Sequence, residues 1–182
     1  ANAVQIRNAT LSVIEGGTED RPRMRASMGA GPKSHVGVHR KAQFEIDLAG
    51  SGAAGTAPGY GDLLRACGLA EVITAATSAA YSPISDGFES ASLHFYKSGK
   101  LRKLLGSRGT VTIAINAKSV PVLKFDVTGQ YAAPANQAPP TAIYTNYRDG
   151  LPVSKVNTPV FTLGGVPLVL KSLEISLGNT VS

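Results

Sequence analysis

The chain has 182 residues, 43% of them apolar and 16% charged, with 20 glycines, 11 prolines, one cysteine and no tryptophan. This excludes a fully disordered chain, which would be apolar-poor, a scaffold of internal disulfides, and a helical membrane span, since no stretch of about 18 residues lacks charged or turn residues. The 18 Lys and Arg outnumber the 12 Asp and Glu for a net charge of +6, which points toward nucleic acid or an acidic surface.

A chain of this length is expected to form one domain over residues 1–182. In chain order, ATLSVI (Ala9 to Ile14) reads as a strand. Glu15 to Lys33 is polar and glycine-containing, with Glu15, Glu19, Asp20, Arg21, Arg23, Arg25 and Lys33, and reads as a long loop. Loops of that length in compact domains tend to be functional or contact-making. Val36 to Leu48 is the clearest element. Val36, Val38, Ala42, Phe44, Ile46 and Leu48 fall on one face, and Gly37, His39, Lys41, Gln43, Glu45 and Asp47 on the other. This period of two, broken only at Arg40, predicts a strand with one face in a core and one in water. It is about twice the usual strand length, so it is expected to project beyond its domain.

Ala49 to Gly61 is a small-residue loop, and Asp62 to Leu69 a short helix capped by Asp62 and ended by Gly68. Glu71 to Ala75 reads as another strand. From Ala91 onward, SLHFYK turns at Ser98-Gly99 into KLRKLL, and Arg108-Gly109 turns into TVTIAINA. VPVLKFDVTGQY places Leu123, Phe125, Val127 and Tyr131 on one face, Ala132 to Pro159 reads as loop, and two strands flank Gly164-Gly165. Many strands and one short helix predict a mainly β fold, an antiparallel β-sandwich or barrel with one flanking helix.

The charge is concentrated. Ser90 to Phe125 holds seven basic residues (Lys97, Lys100, Arg102, Lys103, Arg108, Lys118, Lys124) and no acid, so the remainder carries a net charge of minus one. A phosphate-binding patch and a solvated, lysine-edged hairpin both produce this pattern. The aromatics that stack bases are sparse here, only Phe95, Tyr96 and Phe125.

Gly50, Gly52 and Gly55 spell G-x-G-x-x-G, but the preceding strand alternates and Pro58, Gly59 and Gly61 separate the glycines from the helix. That is a flexible connection rather than a dinucleotide cradle. Cys67 on the apolar side of the helix reads as a buried small residue. His35 and His39 lack a third metal ligand nearby. No catalytic set, metal site or cofactor site is expected.

The succession AGSGAAGTAP, YGDLLRACGLAE, AAYSPISDG, LHFYKSGKLRKLLGSRGTV and PVLKFDVTGQYAAPANQAPP resembles the tail tube proteins of long-tailed bacteriophages. Its anchors include Gly52, Gly55, Pro58, Leu63-Leu64, Gly68 to Glu71, Tyr81 to Pro83, Gly99, Arg108-Gly109, Phe125, Gly129, Tyr131 and Leu177 to Asn179. The resemblance runs from about Leu11 to the end. It implies a structural virion protein with no catalytic residue and no cofactor, a β-sandwich with a flanking helix, and a place in the virion tail after assembly in the host cytoplasm. It also implies homo-oligomeric rings, six-fold or pseudo-six-fold, that stack into a hollow tube. The partners implied are other copies, other tail proteins and phage DNA as passing cargo, with no membrane. Some relatives continue after the Leu-Gly-Asn stretch, so a piece of a longer chain is one expectation.

On this reading His39, Lys41, Gln43, Glu45 and Asp47 line the lumen. The segment Glu15 to Lys33 makes the ring-to-ring contact through Glu15, Glu19, Asp20, Arg21, Arg23, Arg25 and Lys33. Lys97, Lys100, Arg102, Lys103 and Arg108, with the rest of the basic segment as far as Lys124, lie on the outer wall or at subunit contacts. The alternatives are a tail terminator or baseplate hub component of the same fold, or a nucleic-acid-binding β-module using residues 97–124.

Overall fold

The computed structural model describes residues 3–21, 31–144 and 146–181. Among them are strands β1 (Arg7–Leu11), β2 (Glu15–Asp20) and β3 (Lys33–Asp47), then helix α1 (Gly61–Ala66). The strands continue with β4 (Leu69–Thr74), β5 (Ser78–Pro83), β6 (Ala91–Lys97), β7 (Lys100–Asn116) and β8 (Val122–Tyr131). Shorter pieces follow: β9 (Ala135–Asn136), β10 (Thr162–Leu163), β11 (Val166–Pro167) and β12 (Ser172–Ser176). The main sheet runs β1-β3-β8-β7-β12, with β2 added to β3 and both β6 and β9 added to β7. The ribbons β4-β5 and β10-β11 stand apart from it. Every pairing is antiparallel, as expected for a mainly β fold with one short helix.

Alternation sets the two faces of the sheet. Ala42, Phe44 and Ile46 of β3 pair with Val127, Phe125 and Leu123 of β8, and all six are buried. Val111 of β7 lies beside Phe125. The Phe44 and Phe125 rings stack with centroids 5.4 Å apart, and Phe95 meets Phe44 edge-on at 6.3 Å. Tyr60, Leu63, Leu64 and Cys67 close this layer from the other side. Cys67 is thus the buried small residue the helix pattern predicts.

Four expectations change. The helix is only six residues long, and Asp62 does not cap it: the cap position is Tyr60, without a side-chain bond. Asp62 instead pairs with Arg65 at 2.6 Å, which competes for the carboxylate. Residues Glu15 to Asp20 are not loop but β2, paired with His39, Val36, His35, Ser34 and Lys33. The strand is hidden in the sequence because Gly17 to Asp20 are all exposed and no apolar alternation marks them. Arg108-Gly109 is not a turn but the middle of the 17-residue β7. Glycine is needed there for close approach: a Cβ on Gly109 would lie 2.0 Å from the Asp126 carbonyl oxygen and 2.8 Å from Val127 Cα. Finally, Val36 is exposed, while Arg40 occupies the core face of β3 with 0% of its surface accessible. The break in the alternation is therefore a buried guanidinium.

Two hairpins leave the same end of the sheet. Partner β8 covers β3 only from His39 to Asp47. Residues Lys33 to Val38, held by β2, therefore overhang by roughly 20 Å at about 3.3 Å per residue. Beyond the Leu104–Tyr131 pair, β7 continues with β6 to the Lys97–Lys100 pair at the Ser98-Gly99 turn.

Candidate functional site

The long strand β3 is backed by core on one side only. Its other face carries His39, Lys41, Gln43, Glu45 and Asp47, brought together on a single surface of the sheet. Register extends that surface sideways: Glu45 lies opposite Lys124, Gln43 opposite Asp126 and Lys41 opposite Thr128 on β8, and Thr112 on β7 lies opposite Lys124. The charges on this face answer one another. Arg7 on β1 sits 3.5 Å from Glu45 and 3.1 Å from Asp47. Lys41 is 3.4 Å from Glu15, and Lys124 is 3.6 Å from Glu174 on β12. Gln43 donates to Asp126 at 2.9 Å, and Asn8 to Glu45 at 2.8 Å. Exposed pairs of this kind add little stability each. Their consequence is a face that is polar and mixed in sign, with every named cation (Arg7, Lys41, Lys124) beside a carboxylate and a slight excess of acid.

The basic segment does not form one surface. Lys97, Lys100, Arg102 and Lys103 cluster on the β6-β7 hairpin, with no ion-pair partner among the described residues. Arg108 is tethered away from them, donating to the Phe88 and Glu89 carbonyls at 2.9 and 3.3 Å. Lys124 lies on the mixed polar face, because position 124 is in register with Glu45. Its expected place away from that face is therefore not the one it takes. Phe95 is turned into the core against Phe44, so the hairpin does not offer it as a stacking platform for bases.

The β2-β3 hairpin carries Glu15, Glu19 and Asp20 on one strand and Lys33 on the other, with Asp20 and Lys33 3.3 Å apart. Arg21 directly follows β2. Arg23 and Arg25 lie outside the described residues.

Arg40, read only as an interruption in the sequence, joins the roots of both hairpins. Its Nε and Nη2 donate to the Val13 carbonyl at 3.1 and 2.9 Å, just before β2. Its Nη1 donates to the Lys103 carbonyl on β7 at 3.4 Å, and its guanidinium lies 4.8 Å from the Tyr131 ring centroid. Burial lowers its pKa from the ordinary arginine value, Tyr131 opposing and Arg102 reinforcing the shift. No carboxylate pairs with it among the described residues.

At the other end of the sheet an open cavity of about 810 Å³ lies between the sheet (Val111, Ile113, Leu123, Ile175), the loop Leu48 to Pro58 and the β4-β5 ribbon. Gly50, Gly52 and Gly55 belong to its wall. In its wall, Tyr81 donates a hydrogen bond to Glu71, and burial followed by that carboxylate raises the phenol pKa. Among the described residues no three His, Cys, Asp or Glu side chains gather as metal ligands. Nor is any helix long and apolar enough to cross a membrane.

Residues 14–182 match the family model described as phage tail tube protein. No curated protein matches the chain.

Proposed function

Since the chain belongs to the phage tail tube protein family, and is thereby a structural subunit of the virion tail, we propose that it forms six-fold or pseudo-six-fold rings that stack into a hollow tube through which phage DNA leaves. The family implies a non-enzymatic role and assembly with itself and other tail proteins. Assembly takes place in the host cytoplasm, and phage DNA is passing cargo.

The observation that carries this reading is the polar face centred on His39, Lys41, Gln43, Glu45 and Asp47, whose cations are all paired with carboxylates. Duplex DNA carries about one negative charge per 1.7 Å of axis, and a basic wall would bind it by releasing counterions. A wall whose cations already face Glu15, Glu45, Asp47 and Glu174 has little left to hold phosphate with. That face lines the channel, and the opposite face with Phe44 and Ile46 stays in the subunit core. The segment Glu15 to Lys33, which includes β2 and, between β2 and β3 in sequence, Arg21, Arg23 and Arg25, contacts the next ring. The basic β6-β7 tip lies on the outer wall or against acidic groups of a neighbour, where opposite charge steers docking.

Negative-stain images of the purified protein should show rings or tubes, and a persistent monomer overturns the proposal. A reconstruction with Phe44 and Ile46, or Lys100, Arg102 and Lys103, facing the channel overturns the lining. Reversing the charge of Arg21, Arg23 and Arg25 together should shorten the tubes. Unchanged lengths would remove the hairpin from the ring-to-ring contact.

A further inference from the structure

Two surfaces of this chain are unfinished, and they match. The first is the cavity beside β12. None of its lining residues is charged, and Leu123, Val111, Ile113, Ile175, Leu177 and Tyr81 form its apolar walls. Open to water, about 810 Å³ would hold roughly two dozen waters at about 30 Å³ each, most of them without polar partners on the wall. One side of it is a strand edge. Among the described residues β12 is bonded to β7 alone, and Ile175, beside the cavity, is 51% exposed.

The second is the β10-β11 hairpin. Residues 156–170, VNTPVFTLGGVPLVL, include no charged residue. Val156, Val160, Leu163, Val166, Leu168 and Val169 are all exposed, Val169 at 97%. The hairpin bonds to itself through Thr162–Pro167 and Leu163–Val166, and its two strands form a sheet of their own. Its base is tied down where Val153 exchanges bonds with Lys118 and Ser119, and where Lys171 accepts from Ala117. A lone two-stranded hairpin is marginally stable in water, and normally needs a sheet or helix to pack on.

Resting on the tube reading above, we infer that the β10-β11 hairpin of one subunit seats in the apolar cavity of a second copy, alongside the open edge of β12. Charge compatibility supports this occupant: neither the hairpin nor the lining carries a charge that would have to be stripped of water. The area also suffices. Six apolar side chains at roughly 100 Å² each, counted with the surface they cover, come to roughly 1,200 Å², the lower end for a stable protein contact. An unpaired strand edge beside an apolar slot suits a polypeptide, which supplies backbone partners as well as side chains. Because the two surfaces are different patches on one chain, the contact is head-to-tail and propagates from copy to copy instead of stopping at a dimer.

The test uses the full chain carrying Leu163→Cys with Thr77→Cys, one on the hairpin and one in the cavity lining. The native Cys67 is buried and stays silent. Oxidation of the assembled protein should give a ladder of dimers, trimers and higher species on a non-reducing gel, absent from either single variant. A faster-migrating monomer with an internal bridge would show that the chain fills its own cavity, and no bridge would show that the hairpin does not reach it. Either result overturns the inference. A second variant, Leu163→Asp with Val166→Asp, alters side chains that are exposed in the subunit, so folding by circular dichroism should be unchanged. The concentration needed for assembly should rise at least about tenfold, because a carboxylate in the slot must be desolvated. If this variant assembles like the wild type, the inference fails and the tube reading stands. If the wild type forms no assembly at all, both fail.

Discussion

Replacing Arg40 by Met keeps an unbranched apolar stem of similar reach and removes the guanidinium. In the folded chain that group donates twice to the Val13 carbonyl and once, at 3.4 Å, to Lys103. A hydrogen bond to a charged group contributes about 1.5–3 kcal/mol, and a desolvated cation over an aromatic ring about 2 kcal/mol. Against these stands the cost of keeping a cation where its accessible surface is 0%, a cost on the order of several kcal/mol per ion. The variant regains that cost but leaves two carbonyls short of a donor, at about 1–3 kcal/mol each. The net expectation is a loss of about 1–3 kcal/mol, read as a lower urea midpoint at unchanged slope. The location of the damage is the sharper test. Because Val13 precedes β2 and Lys103 lies at the root of the β6-β7 hairpin, amide exchange should accelerate in both hairpins and remain unchanged in the β8 core. A variant with wild-type stability and wild-type exchange in both hairpins would refute the view that Arg40 fixes them to the sheet.

Gly109→Ala should cost about 1–3 kcal/mol by overpacking, since the new Cβ meets β8 backbone, and a thermal melt within error of the wild type would contradict that approach. Burial pushes the Cys67 thiol from 9.0 up to about 12, and raises Tyr60, Tyr81 and Tyr147 as well. These groups hold their protons in the folded state after the unfolded chain has released them. Their contribution is therefore complete below pH 9 and is lost as pH rises toward 12, at up to about 1.4 kcal/mol per pH unit per group. Urea midpoints that stay flat across that range would show the thiol and phenols to be solvated. Substituting Gln43→Lys with Glu45→Lys should leave tubes intact but slow DNA release and make it salt-sensitive, and ejection rates equal to wild type would remove these positions from the channel wall.

The parts of the fold legible in the sequence are those where burial writes a period. Phe44, Ile46, Leu123, Phe125 and Val127 alternate because one face of each strand packs and the other is wet. The Lys97 to Lys100 turn is readable because Ser98 and Gly99 both adopt positive φ, a conformation few residue types accept. By contrast, β2 writes no period, since Gly17 to Asp20 bury nothing and owe their extended form to β3. Gly109 looks like a turn glycine because close backbone approach and tight turning call for the same residue. Arg40 shows only as a flaw in the alternation. Its acceptors, Val13 and Lys103, are 27 and 63 residues away, and backbone carbonyls leave no mark in a sequence. The polar face of β3 was predictable, but the partners that neutralise it, from Arg7 to Glu174, were set by register.

Both hairpins emerge from one end of the sheet, while the cavity lies toward the other. The subunit therefore has a direction. A filament built by adding it head to tail is a vector, with two ends that differ in chemistry and hence in growth rate. One end of the subunit presents two charged strand hairpins, the other the apolar cavity and the base of the uncharged β10-β11 hairpin. A protein that starts such a filament and one that stops it must recognise different surfaces, and neither can substitute for the other.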